Sequence, residues 1–432
     1  MSTVTIPHAQ RFAAPLFTCC LVALGLVVPI QADDTVQAWY FDLGNGPTTA
    51  GFQKVPAAQR LDDTHAFGFD LEPSPTEIHR AGDDPLRVDL VTSDQPFFFS
   101  ARLPEGNYLV TLTLGDSDEA TSTCIKAESR RLMLPKVETK PGEFAQAAFT
   151  VNTRTPAIAD GDHVGLKTRE HGVLHWDDKL TLEFNGERPA VCAIEIVPKP
   201  DAVTVFLLGD STVTDQPREP WNSWGQMLTR FFGPAVAVAN HAESGESIKG
   251  SLRARRVKKV LTSLKKGDYV LVQYGHNDMK DKDPEALAKY RANYEQLVDD
   301  VRAKGATPIL VTSMERKAGV KQPTLKGYPD TVRAVAQQKN VPLIDLHATS
   351  IEMYRALGDD LGKAFQDGTH HNAYGSYLLA NCVAEGIREN VPELAVHLRA
   401  DVPSFNPADP ISPEAFDVPA SPSADLTKPD GS

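Results

Sequence analysis

The stretch TVFLLGDSTVT, residues 204–214, decides the fold. The run TVFLL stops abruptly at Gly209-Asp210-Ser211-Thr212. Four runs of the same kind follow, AVAVA, YVLVQ, PILVT and PLIDL. Helical stretches lie among them: WNSWGQMLTRFF, SLRARRVKKVLTSL, LAKYRANYEQLVDDVRAK, YPDTVRAVAQQ and YGSYLLANCVAEGI. Strands apolar throughout, alternating with helices, predict a parallel sheet covered on both faces. Residues 201–399 are therefore expected to form a flavodoxin-like three-layer α/β/α domain with a five-stranded parallel sheet. Ligands of such a domain bind beyond the carboxyl ends of its strands.

Upstream, across the proline-rich hinge Pro198–Pro200, the rhythm changes to period two. In NYLVTLTLGD, Tyr108, Val110, Leu112 and Leu114 fall on one face and Leu109, Thr111 and Thr113 on the other. KLTLEF repeats the pattern with Leu180, Leu182 and Phe184. Short strands separated by Gly, Pro, Asn and Asp predict an all-β sandwich, galactose-binding-like, over residues 33–200. Downstream, residues 400–432 are Pro-, Ser- and Asp-rich without periodicity and are expected to form a mostly extended tail or linker.

The N-terminus carries its own address. Arg11 precedes FAAPLFTCCLVALGLVVPIQA, which ends at Ala32 before Asp33-Asp34. A short apolar core and a small residue before an acidic pair predict a signal peptide over residues 1–32, and hence export to the periplasm or beyond. An uncleaved membrane anchor is the alternative. No later apolar run is long enough to span a bilayer. A formal net charge of −13 argues against nucleic-acid binding. Cleavage would leave Cys124, Cys192 and Cys382, which allow one disulfide at most. Cys192 shares a strand face with Ile194 and Ile196, as a buried, inert thiol would. No Cys/His spacing matches a zinc site, the histidines 163, 171 and 175 included, and no metal or organic cofactor is expected.

Polar residues collect where the apolar runs end. After TVFLL comes Ser211, after AVAVA the group Glu243-Ser244-Gly245-Glu246-Ser247, and after YVLVQ the group Tyr274-Gly275-His276-Asn277-Asp278. PILVT leads into Ser313-Met314-Glu315-Arg316, and the last helix is preceded by Asp367-Gly368-Thr369-His370-His371-Asn372. A serine is a weak nucleophile until a base takes its proton, and the base needs an acceptor to hold its tautomer. Asp367 and His370, three apart in one loop, suit that pairing. Donors for an oxyanion would come from the N–H of Ser211, the N–H of Gly245 and the side-chain amide of Asn277. Gly-Asp-Ser occurs a second time at residues 115–117. Ser117, however, lies in the β-rich region with no Asn or Asp-x-x-His after it there, and reads as a hairpin turn. Ser247 reads as a helix cap.

The blocks around Ser211, Gly245, Asn277 and His370 resemble the four that name the GDSL or SGNH hydrolases. GDSTV, QYGHND and DGTHHNAYG are most similar to rhamnogalacturonan acetylesterases of carbohydrate esterase family 12, and WYFDLG before a β-domain resembles bacterial members. The resemblance covers roughly residues 201–390. It implies Ser211 as nucleophile, His370 as base, Asp367 as its orienter, and Ser211, Gly245 and Asn277 as the oxyanion hole. His371 is the alternative base, and the aspartate-plus-three spacing favours His370. One departure is Glu246, where related sequences often carry Arg. The implied activity is removal of acetyl groups from polysaccharide, pectic rhamnogalacturonan first. Acetyl-xylan or another short-chain ester is the alternative substrate, and a carbohydrate-binding surface protein with an inactive hydrolase domain the alternative class. Trp221 and Trp224 are candidate sugar platforms or core aromatics, and Arg316 a candidate contact to an anionic sugar. The basic run RARRVKK, residues 253–259, reads as a solvated helix face.

Overall fold

The computed structural model describes residues 37–423 and 425–429, so the expected signal peptide lies outside the described residues. Twelve strands precede residue 200: β1 (Trp39–Leu43), β2 (Gln53–Val55), β3 (Phe67–Asp70), β4 (Thr76–His79), β5 (Asp89–Thr92), β6 (Phe97–Arg102), β7 (Gly106–Gly115), β8 (Thr121–Ala127), β9 (Arg131–Thr139), β10 (Phe144–Thr153), β11 (Lys179–Arg188) and β12 (Ala190–Pro198). They form two sheets. One runs β10-β7-β12-β1-β2, with β5 also on β12 and β4 on β5; the other runs β3-β6-β11-β8-β9. Alternation along the strands puts Tyr108, Val110, Leu112 and Leu114 of β7 in one buried core with Leu180, Leu182 and Phe184 of β11. Phe41, Phe69, Phe97 and Phe99 complete it, their rings meeting edge-on or tilted. Ser117 is not in a hairpin. Its loop carries the chain from β7 in one sheet to β8 in the other, because Arg80 and Arg188 clamp Asp116 there and divert the strand.

Five further strands, β13 (Val203–Gly209), β14 (Val236–Asn240), β15 (Tyr269–Gln273), β16 (Thr307–Val311) and β17 (Leu343–Ile344), make an all-parallel sheet in the order β14-β13-β15-β16-β17. This is the doubly wound order whose switch point lies beside its first strand. Helices Ala286–Ala303, Tyr328–Lys339 and Ala373–Asn390 cover it. The stretch read as one helix around RARRVKK breaks at Arg255, whose φ is 62°, into Ile248–Arg253 and Arg256–Ser263. A helix over Leu346–Leu357 is additional to those read from the sequence.

From Gln37 onward the chain is one compact unit, and the two sheet systems share core. Leu132 of β9 and Cys124 of β8 pack with Met227, Leu228 and Phe231 of the α/β half. The basic run is only partly solvated: Arg253, Arg255 and Lys258 are exposed, but Arg256 and Lys259 are buried. Arg256 is fully buried on Glu170, Lys259 holds Glu105 at 2.6 Å, and Arg255 and Lys258 both reach Asp162. Its positive face is therefore a docking surface for acids of the sandwich. The C-terminal segment is extended but anchored rather than a free linker. Phe405, Phe416 and Val418 lean on the core, and the buried Ser421 hydroxyl sits between Lys126 and Glu183. Cys124, Cys192 and Cys382 are free and buried, and burial pushes each thiol up to about 12. Among the described residues, no helix is long and apolar enough to cross a membrane.

Candidate active site

The parallel sheet delivers its strand ends to one edge. Directly after β13, the Asp210 carbonyl accepts from the N–H groups of Val213 and Thr214, both at 3.0 Å, so the chain turns sharply with Ser211 in the bend. The Asp210 side chain fixes that bend. One oxygen accepts from Thr212 N at 2.9 Å and Thr212 Oγ1 at 2.7 Å, and the other meets His276 Nδ1 at 3.1 Å. His276 Nε2 in turn lies 3.0 Å from the Met314 carbonyl. Burial pushes the Asp210 carboxyl up, but His276 and Thr212 outweigh it and hold the group below the usual carboxylate range.

Ahead of helix Ala373–Asn390, Asp367 organises the second half of the site. One of its oxygens accepts from the backbone N–H of Thr369 and of His370, at 2.6 and 2.7 Å, and the other lies 2.8 Å from His370 Nδ1. His370 Nε2 is 2.8 Å from Ser211 Oγ. Both residues are 1% exposed. Partial burial raises the Asp367 carboxyl, yet the hydrogen bonds from His370 and Thr369 win and hold it well below its usual range. It is thus an anion across the neutral range, suited to keeping a proton on Nδ1 and leaving Nε2 to accept. His371 is turned away, its Nε2 2.9 Å from the Tyr354 hydroxyl and its ring against Phe365. Burial drives its imidazole down to about 3, so it stays neutral.

Gly245 follows β14 with a φ of 75°, a conformation that favours glycine. Among the described residues, the backbone N–H groups of Ser211 and Gly245 have no protein acceptor. The Asn277 amide donates one N–H to the Glu246 carbonyl at 3.0 Å, and its oxygen accepts from Lys280. Asn277 therefore ties the second and third loops together and keeps one N–H for a ligand. Glu246 is buried against Lys167 of the sandwich, at 3.0 Å. Ser247 caps helix Ile248–Arg253 through the Gly250 N–H.

The tentative sugar contacts part company. Trp221 stands edge-on to His370 with ring centroids 5.9 Å apart and lines a cavity of about 620 Å³. Trp224 is a correction: it is 1% exposed, packed in the core, and its indole N–H donates to Gln273 Oε1 at 2.8 Å. No face is left for a sugar. Arg316 is half-buried and binds protein, reaching Thr369 Oγ1 and the His276 carbonyl.

Sequence reading missed the sandwich's share of the site. Gln216 and Ser244 line the cavity. Gln216 Nε2 donates to the Ser211 carbonyl at 2.8 Å and to Ser244 Oγ at 3.2 Å. Ser211 and His370 are not themselves in the cavity wall; their partners Gln216 and Trp221 are. Arg130 of the sandwich also lines the cavity, as do Asp425 and Lys428 of the C-terminal segment. Trp221 donates to the Asp425 carbonyl, and Lys428 Nζ lies 3.4 Å from Asp367. The signal that was available is Arg130-Arg131 directly before the apolar run Leu132-Met133-Leu134, since arginine is rarely buried without a partner.

Comparison with known proteins bears on this arrangement. Rhamnogalacturonan acetylesterase RhgT of Bacillus subtilis (strain 168) is 34% identical over 218 residues, spanning 45% of this chain and 94% of that protein. The uncharacterized esterase YxiM of the same organism is 25% identical over 400 residues, spanning 88% of this chain and 98% of its own. The crystal structure of YxiM aligns with a TM-score of 0.43 at 24% identity, covering 82% of this chain and 98% of that one. The profile of the GDSL-like lipase/acylhydrolase family matches residues 207–378, the span that runs from the end of β13 to the helix behind His370. The chain belongs to the GDSL-like lipase/acylhydrolase family.

Proposed function

We propose that the protein is an exported serine esterase that removes O-acetyl groups from polysaccharide, with pectic rhamnogalacturonan as the preferred substrate. The observation that carries the chemistry is the relay from Asp367 through His370 to Ser211, each step 2.8 Å. The relatives named as rhamnogalacturonan acetylesterases support the substrate, and the apolar run before Ala32 supports export.

His370 Nε2 takes the Ser211 proton as Oγ bonds to the acetyl carbonyl carbon. The oxyanion accepts from the N–H groups of Ser211 and Gly245 and from the free N–H of Asn277. As the tetrahedral intermediate collapses, the bond to the sugar oxygen breaks and the imidazolium protonates that oxygen. Water then gives a proton to His370 and attacks the acetyl-enzyme; acetate leaves and Ser211 recovers its proton. Asp367 steadies the imidazolium in both halves. The scheme needs no metal or organic cofactor.

Acetate release from acetylated rhamnogalacturonan, xylan and chitin fragments tests the reading. Ser211→Ala is expected to lose at least about 10³-fold in rate while staying folded. Retained hydrolysis of p-nitrophenyl acetate by that variant would reject Ser211 as nucleophile, and preferential release from xylan would move the substrate.

A further inference from the structure

We propose that the β-sandwich is a working part of the esterase centre: Arg130 and Arg131 act as positioning residues that hold the loop 211–216 through Gln216 and Asp215. The inference rests on Ser211 being the nucleophile.

The contacts form a short chain from sandwich to serine. Arg131 Nε donates to Asp215 Oδ2 at 2.7 Å, with the two side chains 1% and 0% exposed. Arg154 approaches the same oxygen at 3.6 Å. The other Asp215 oxygen accepts from Asn240 Nδ2 at 2.8 Å, and Asn240 also donates to the Val213 carbonyl. Arg130 Nη1 donates to the carbonyls of Gln216 at 3.1 Å and Trp221 at 3.0 Å. Gln216 then passes the constraint on, since its side-chain amide holds the Ser211 carbonyl. Within the hydrolase half, Asp210 secures the start of this loop and Thr214 bonds to the Ala242 carbonyl. Residues 215 and 216 are gripped from both sides: Asn240, Ser244 and Gln226 hold them from the hydrolase half, and Arg131 and Arg130 add the sandwich's hold.

Two features argue that this is more than domain packing. Burying arginine carries a large desolvation cost, and a buried ion pair is weak evidence of net stabilisation. A flat apolar contact would join the domains as well. In addition, the turn from β8 to β9 that presents the two arginines holds Glu128 at φ 57° and Arg130 at φ 62°. Left-handed non-glycine residues cost free energy and gather where function needs a particular geometry. The geometry at issue is Ser211 Oγ on His370 Nε2, where about 1 Å of misplacement costs on the order of 10²-fold in rate.

The test uses the full chain and p-nitrophenyl acetate, with active sites counted by the end-point of stoichiometric phosphonylation of Ser211 by a fluorophosphonate, which does not depend on the acetylation rate. Arg131→Met is expected to lower kcat per active site about 10- to 100-fold, with KM within about threefold of wild type and Arg131→Lys recovering part of the loss. A merely structural role would instead reduce the number of active sites and leave kcat per site unchanged, which would overturn the proposal. Because Arg131→Met leaves buried Asp215 facing Arg154 alone, at 3.6 Å, the triple variant Arg131→Met/Arg154→Met/Asp215→Asn removes all three charges and keeps an acceptor for Asn240. It is expected to melt near wild type yet stay slow, and wild-type kcat in it would overturn the clamp. Gln216→Met probes the same constraint from the serine side and is expected to slow acetylation of Ser211 similarly; an unchanged rate would also reject the proposal. Failure of the esterase reading is separately visible as absence of both p-nitrophenyl acetate hydrolysis and Ser211 phosphonylation in the wild-type protein.

Discussion

The indole of Trp221 meets the imidazole of His370 edge-on, with ring centroids 5.9 Å apart and the planes at 89°. The indole is itself fixed by a 3.0 Å hydrogen bond to the Asp425 carbonyl, so it limits how far the imidazole can tilt. Edge contacts of this kind are worth about 0.5–1.5 kcal/mol beyond area burial, which corresponds to about two- to thirteenfold in kcat. Trp221→Ala is expected to lose that much on p-nitrophenyl acetate and more on an oligosaccharide, whose sugar rings also lose the cavity wall. Trp221→Phe should retain most of the small-ester rate. An oligosaccharide KM unchanged in the alanine variant would remove Trp221 from the substrate site.

Trp224 carries the opposite expectation. Its side chain is enclosed by the core under the serine loop and leaves Gln273 Oε1 without its donor when removed. Trp224→Ala should destabilise by about 3–5 kcal/mol, read as a lower urea midpoint. The folded fraction should keep the wild-type KM for oligosaccharide, and a raised KM would return the residue to the substrate site.

Gly225 tests how tightly the serine loop is seated. A Cβ at this position would stand 2.1 Å from the Val213 carbonyl oxygen and 3.0 Å from Leu207, so backbone has to move. Overpacking of this kind costs about 1–3 kcal/mol. Gly225→Ala is therefore expected to lower both the melting temperature and kcat per phosphonylatable active site, because the segment displaced is the one that carries Ser211. A lower melting temperature with an unaltered kcat would show that the loop moves without the serine.

The parallel sheet was legible because a strand buried on both faces must be apolar throughout, and TVFLL, AVAVA, YVLVQ and PILVT all became strands. PLIDL yielded only Leu343–Ile344, since Asp345 turns instead to cap the next helix through the Ala348 N–H. Asp367 and His370 were legible because their pairing is local. Arg131 and Asp215, 84 positions apart, were not, since periodicity reports which face of an element is buried and not what buries it. The same blindness explains RARRVKK, whose acidic partners Glu105, Asp162 and Glu170 lie far upstream. Trp221 and Trp224 share one short stretch and similar neighbours in sequence. Only the three-dimensional course of the chain separates a cavity wall from a core residue.

Glu128 gives the interface a pH dependence of definite sign. Burial pushes its carboxyl up to about 8, against the lowering pull of Arg131, from an ordinary value of 4.5. Between those values the folded protein keeps a proton that the unfolded chain has lost, so stability falls as pH rises from about 4.5 through about 8. Glu128→Gln retains an acceptor for the Thr181 N–H, now 3.1 Å from the carboxylate oxygen, and removes the titration. The variant should melt with wild type near pH 5 and above it at pH 9. Parallel melting curves across that range would mean that the carboxyl does not titrate as its burial implies.

The C-terminal segment supplies the last prediction. Ser421 Oγ lies 2.8 Å from both Lys126 Nζ and a Glu183 oxygen, and the Asn185 amide holds the Ala420 carbonyl at 2.9 Å. Beyond this anchor, Asp425 pairs with Arg218, and Lys428 reaches Asp367. Ending the chain after Val418 uncovers the buried Lys126–Glu183 pair, removes the cavity wall at Asp425, and frees the Trp221 indole N–H. The truncated protein is expected to unfold at lower urea and to bind acetylated oligosaccharide with a raised KM. Its kcat on p-nitrophenyl acetate should stay within about fivefold of wild type, because a half-exposed ion pair such as Lys428–Asp367 contributes only about 0–1 kcal/mol. Loss of small-ester activity from a truncated but folded protein would instead make Lys428 a determinant of the Asp367–His370 pair itself, and Lys428→Met in the full chain would then reproduce the loss.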